Sequence, residues 1–195
     1  MKRVLSVVLA IGFALSLSSC SSNDPLAQQF KQGDNKNYIA GDGSVTEFRD
    51  VANRKTGAAW TSKTAEGQTL RSSDLLGKVV VLNFWYAGCA PCRAETPDLD
   101  KIATKYASKN VVVVGVDLRD SAETALAFLR NRKISYPSVM DNESGDVVLA
   151  YTGIVTPDAV PTTLVLDTEG RVAARVIGRI EPSILETLIK AEVNR

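Results

Sequence analysis

From about residue 44 onward the chain alternates between short, almost wholly apolar runs and segments whose apolar residues recur every three or four positions. Lys78 to Trp85 is apolar apart from Lys78 and Asn83, and Val111 to Val116 is interrupted only by Gly115. Runs of this kind predict strands buried on both faces. Between them Leu99, Ile102, Ala103 and Tyr106 follow helical spacing, which predicts a helix of roughly fifteen residues with Pro97 expected to kink it. Asp120 followed by Glu123 predicts a capped helix start, with Ala125, Leu126 and Leu129 as its apolar stripe. Ser144 to Tyr151 reads as a short inserted helix. Pro161 to Leu166 and Arg171 to Ile177 are two more strands, separated by the turn Asp167-Thr168-Glu169-Gly170. Pro182, Ile184, Leu185, Leu188 and Ile189 mark a closing helix with proline at its start. Upstream, Ala58 to Thr61 and Gln68 to Leu70 flank Glu66-Gly67 as a hairpin, and Ser72 to Gly77 reads as one helical turn stopped by glycine.

The predicted order is hairpin, β, α, β, α, insert, β, β, α. Alternation of β and α units calls for a sheet with helices on its faces, and a short turn between the last two strands makes them antiparallel. The expected architecture is α/β: a mixed four-stranded central sheet flanked by helices, with an N-terminal β-hairpin and a short insert.

The first 43 residues follow none of these patterns. Lys2 and Arg3 precede an apolar stretch from Val4 to Leu17, and Leu17-Ser18-Ser19-Cys20 follows. A basic start, a short apolar core and small residues at a cleavage point describe an export signal. The apolar stretch falls short of the ~20 residues that cross a bilayer. Leu-Ser-Ser-Cys resembles a bacterial lipobox, in which Cys20 becomes the lipidated first residue of the mature protein. Residues 1–19 are thus expected to be a lipoprotein signal peptide, 20–43 a polar, lipid-anchored tether, and 44–195 the folded domain, held outside the cytoplasm at the membrane.

Charge adds little: the formal net charge is +1, and loss of Lys2 and Arg3 would make it −1. Neither value suggests nucleic-acid binding. The absence of histidine removes Cys-His nucleophilic catalysis and histidine-held metals or haem. One cysteine pair alone does not complete a structural zinc site, so no metal and no cofactor is expected.

With Cys20 assigned to lipid, Cys89 and Cys92 are left to each other. A disulfide across so short a loop contributes little as a structural staple, and export favours disulfide chemistry. The pair lies where a buried strand gives way to a helix. There the unpaired N–H groups and the dipole stabilise a thiolate, lowering a cysteine pKa from about 8.5 to as little as ~3.5–7.5. Cys89 is the expected nucleophile, and Cys92, one helical turn on, the resolving thiol. Pro91 suits a first helical turn.

The segment Asn83-Phe84-Trp85-Tyr86-Ala87-Gly88-Cys89-Ala90-Pro91-Cys92-Arg93-Ala94-Glu95-Thr96-Pro97, with Val160-Pro161-Thr162-Thr163 and Asp167-Thr168-Glu169-Gly170-Arg171, resembles membrane-tethered thioredoxin-like proteins of the TlpA/ResA type. The resemblance covers roughly residues 58–192 and implies a thioredoxin fold and disulfide reductase activity. For the ResA-like branch it implies reduction of apocytochrome c cysteines before haem attachment. The electrons would come from a membrane thiol carrier of the CcdA type. It also implies that Asn83 takes the place of thioredoxin's buried aspartate and that Glu95 is an acid kept near the cysteines. Spacing alone leaves Glu95 open between a proton acceptor for Cys92 and an exposed helix residue. Gly88 departs from the tryptophan that many members carry before the first cysteine.

Pro161 is expected in a cis bond, the one peptide type that tolerates cis cheaply. The backbone of Val160 would then be free to pair with a bound peptide by strand addition. Trp85 and Tyr86 read either as a border of the substrate surface or as packing, and Arg93 either as a source of positive potential or as a solvated charge. The leading function is an extracytoplasmic disulfide reductase acting on protein disulfides. The alternatives are a Dsb-type oxidase of exported proteins and, from another class, a tethered binding module whose cysteines are incidental. Nothing marks a peroxide pocket.

Overall fold

The computed structural model describes residues 44–195. The expected signal peptide, the lipid site at Cys20 and the tether lie outside the described residues.

Eight strands form one sheet: β1 (Val45–Glu47), β2 (Thr61–Thr64), β3 (Thr69–Arg71), β4 (Val79–Trp85), β5 (Val111–Asp117), β6 (Ser138–Met140), β7 (Thr162–Leu166) and β8 (Val172–Ile177). Four helices accompany them: α1 (Ala90–Tyr106), α2 (Ala122–Arg132), α3 (Asp146–Ala150) and α4 (Pro182–Val193). The strands lie in the order β1-β8-β7-β4-β5-β6-β2-β3. β4, β5 and β6 run parallel, and the remaining pairings are antiparallel.

The expected four-stranded sheet is therefore corrected to eight strands, although its centre is as expected. β1 and β6 are three residues each, too short to leave a periodic signal. The hairpin β2–β3 joins the same sheet by pairing Lys63 and Thr64 with Met140 and Val139. Two smaller expectations also change. The N-cap of α2 is Ser121, whose side chain accepts the Thr124 N–H, because Asp120 is engaged elsewhere. Helix α1 runs on through Pro97 as a single element of seventeen residues.

All seven residues of β4 are buried, as a central strand requires. Alternate residues divide between two cores. Val79 and Val81 pack with Leu99, Ile102 and Tyr106 of α1 and with Leu185 and Ile189 of α4. Val80, Leu82 and Phe84 pack on the other face with Trp60, Val147 and Tyr151. Beyond Trp85 the chain leaves the sheet, and the cysteine motif follows at this C-terminal end of the parallel strands.

Candidate active site

Cys89 is the N-cap of α1, in extended conformation, and its Sγ accepts the N–H of Cys92 at 3.2 Å. A turn closed by the Cys89 N–H on the carbonyl of Tyr86 leads into it, and the Arg93 N–H then binds the Cys89 carbonyl. The first turn of the helix thus aims the N–H of Cys92 at the sulfur, an arrangement that stabilises negative charge there. Cys89 and Cys92 form a disulfide with Cα atoms 5.3 Å apart. Cys89 is 4% exposed and Cys92 not at all, so an incoming group meets Cys89 first.

Glu95 lies on the inner side of the same helix and is 1% exposed. One carboxylate oxygen accepts from the Asn83 Nδ2 at 2.7 Å, the other from the N–H of Ile180 at 3.0 Å. Burial pushes its pKa up to about 7, against the opposing pull of both donors and of the Arg179 charge. The reading of Glu95 as an exposed helix residue is thereby excluded. Asn83 also donates to the Thr163 hydroxyl at 3.1 Å, linking the carboxyl to the strand that follows Pro161. A carboxyl with this pKa is matched to taking up and returning a proton near neutrality.

The Val160–Pro161 bond is cis, as expected. Pro161 is buried, with its carbonyl bound by the Gly178 N–H at 2.8 Å. Val160 packs against the cluster of Trp85, Cys89, Cys92 and Leu129. Among the described residues no hydrogen bond involves the Val160 backbone, which leaves it open to a bound chain. Trp85 is placed differently from a substrate border. It is 2% exposed, donates its indole N–H to Ser138 at 2.9 Å and packs on Phe128. It is part of the floor under the cysteines, and the half-buried Tyr86 stands at the surface instead.

The structure adds to the site two carboxyls, Asp117, which the sequence reading did not single out, and Asp120, which it read only as a helix cap. Asp117, at the end of β5, is fully buried, and its Oδ1 accepts the N–H groups of Arg119 and Asp120. Burial pushes its pKa up to about 7, opposed by those two donors and reinforced by the neighbouring carboxyl of Asp120. Asp120 in turn accepts the N–H of Ala87, in the turn that presents Cys89. Leu118 ties the same two loops by donating its N–H to Trp85. The available signal was an acidic residue closing an otherwise apolar strand, where sites of parallel sheets gather. Among the described residues no group of three or more His, Cys, Asp or Glu side chains is arranged to hold a metal ion.

Residues 54–175 match the model of the AhpC/TSA family. The chain belongs to this family. Its curated relatives include thiol-disulfide oxidoreductases named ResA. The protein from Bacillus subtilis is 31% identical over 147 residues, covering 75% of this chain and 76% of that one. The one from Bacillus anthracis is 29% identical over 125 residues, 64% of this chain and 69% of its own. Among solved structures, a secreted thiol-disulfide isomerase from Corynebacterium glutamicum superposes with a TM-score of 0.70 at 27% identity. It covers 82% of this chain and 98% of its own. A DsbF homologue from Corynebacterium diphtheriae gives 0.68 at 28%, covering 82% and 99%. This AhpC/TSA-family chain is a thiol-disulfide oxidoreductase of thioredoxin-like fold, and Cys89–Cys92 is its cysteine pair.

Proposed function

We propose that this oxidoreductase is an extracytoplasmic, lipid-anchored disulfide reductase, serving the cysteines of apocytochrome c during cytochrome c maturation. The Cys89 thiolate attacks one sulfur of a substrate disulfide and expels the other as a thiolate. Glu95 takes the proton of Cys92. The Cys92 thiolate then attacks the Cys89 sulfur and releases the second substrate thiolate. Two electrons have passed to the substrate, and the protein is left as its Cys89–Cys92 disulfide. A membrane thiol carrier of the CcdA type restores the dithiol. Val160 and Pro161 shape the edge on which the substrate backbone lies.

One observation supports this direction of electron flow. A strong oxidant owes its potential to a stabilised reduced form. Here the dipeptide Ala90-Pro91 brings no cation, and the buried carboxyl on α1 is that of Glu95. A negative charge there opposes a thiolate, which supports reading the reduced pair as an electron donor. The signal peptide pattern, the cysteine at its end and the secreted relative support the location. Among the described residues no helix is long and apolar enough to cross a membrane.

The reduction potential of the pair, measured by equilibration against dithiothreitol and glutathione, tests this reading. A value near the ~−270 mV of thioredoxin or lower is expected. A value near the ~−120 mV of a strong disulfide-forming oxidant would reassign the protein to disulfide formation. Insulin turnover independent of Cys89, or none, would leave only a binding module.

A further inference from the structure

The rim of the disulfide is built from arginines resting on aromatic rings. Arg119 lies 4.6 Å from the centre of the Tyr86 ring, three residues before Cys89. Arg93, one turn into α1, and Arg132, at the end of α2, lie 6.0 and 5.7 Å from the Phe128 ring. Phe128 itself packs against the cysteine cluster. Arg179, whose charge reaches Glu95, borders the opposite side, next to the Gly178 N–H that holds Pro161. All four are exposed.

What distinguishes these cations is their place beside the cysteine cluster, with few carboxylates of the domain to neutralise them. Lys101, Lys105, Arg171 and Arg195 are each paired with a carboxylate of the domain. Among the described residues Arg93, Arg132 and Arg179 have no carboxylate at ion-pair distance, and Arg119 has only Asp158 at 3.7 Å. Asp158 is 96% exposed on its side chain, so this contact is well screened. Asp120, beside Arg119 in sequence, spends an oxygen on Ala87. A planar guanidinium held on an aromatic face keeps its edge donors directed outward, ready for a carboxylate.

We propose that this face docks acidic segments of disulfide-bearing polypeptides. The substrate backbone lies along Val160, and Asp or Glu residues flanking its cysteines meet Arg93, Arg119, Arg132 and Arg179. The inference rests on the reductase reading and adds a substrate class to it. Main-chain pairing supplies affinity with little sequence preference; the arginine rim supplies the preference.

The test uses the full chain in detergent, prereduced with dithiothreitol and freed of it. It is mixed with three disulfide peptides of one sequence in which the residues flanking the cysteines are all Glu, all Gln or all Lys. Peptide thiol release gives the second-order rate constant at low and at high ionic strength. The expected order is Glu, then Gln, then Lys, with about a tenfold spread from first to last at low salt that narrows at high salt. Replacing Arg93→Glu and Arg132→Glu together is expected to reverse the order. Equal rates for the three peptides, or an unchanged order in the double variant, would overturn the inference alone. No exchange with any peptide would overturn the reductase reading and the inference with it.

Discussion

The residue that sets the chemistry apart from a bare cysteine pair is Glu95. Its folded pKa, about 7, stands above the ordinary 4.5, so the native state binds this proton more tightly than the unfolded chain. Stability from this group is complete below about pH 4.5 and is lost as pH rises to about 7. The shift corresponds to about 3 kcal/mol. Glu95→Gln is expected to remove that slope, which urea melts at either end of the window would read against the wild type. The same variant is expected to slow exchange on the order of 10²-fold and to erase an inflection near pH 7 in the rate. An unchanged pH profile would exclude Glu95 from proton transfer. The position of Glu95 next to a cysteine motif was legible in the sequence, but its burial was not. The groups that enclose it, Asn83 on β4 and the N–H of Ile180, come from distant parts of the chain, and a backbone N–H leaves no residue-type signal. Trp85 shows the converse: an aromatic beside a cysteine suggests a surface, and only the Ser138 hydroxyl across the sheet reveals the floor.

At the scale of elements, the central strands and the long helices were legible because each carries its own periodicity. β4 and β5 are continuous apolar runs, and α1 repeats at helical spacing. The short strands β1 and β6 were not, since three residues cannot display a period and their partners alone define them. The start of α2 illustrates a competition that local reading does not resolve. Asp120 and Ser121 are both good caps; Ser121 takes the role because Asp120 reaches across to the turn of Cys89. Their substitutions should therefore part company. Ser121→Ala is expected to cost about 1 kcal/mol of stability and to leave exchange intact. Asp120→Ala is expected to lower the exchange rate, and Asp120→Asn, which keeps an acceptor for Ala87, to restore most of it. Paired urea melts and turnover assays check both, and equal loss of rate in both Asp120 variants would remove the positioning role.

The molecule as a whole is closed by a charged clasp that no sequence pattern announced. Arg54 is 7% exposed. It grips Glu192 through both terminal nitrogens at 2.7 Å, Asp167 at 2.9 Å and the carbonyl of Phe48 at 2.7 Å. Asp167 is held in addition by Arg171 at 2.9 Å. A lone arginine in a polar stretch reads as a surface charge; its carboxylate partners lie more than a hundred residues away. Arg54→Ala removes the buried cation that two buried carboxylates share, leaving Asp167 to Arg171 and Glu192 to Arg195, and is expected to cost about 3 kcal/mol, measured as a fall in the denaturation midpoint with an unchanged slope. Little change would mean that the acids find other partners.

The clasp also orders events in time. A chain leaves the ribosome N-terminus first, yet Arg54 waits for Glu192, and β1 waits for β8 to supply Val176 opposite Val45. β4, the middle of the sheet, likewise lacks its neighbour β7 until most of the chain has been made. The nascent polypeptide cannot complete its fold piecemeal, because its opening segment is registered by its closing one. Until β8 and α4 have been made, β1 has no strand to pair with and Arg54 no Glu192 to grip, so the N-terminal edge of the domain is fixed only by its C-terminal elements.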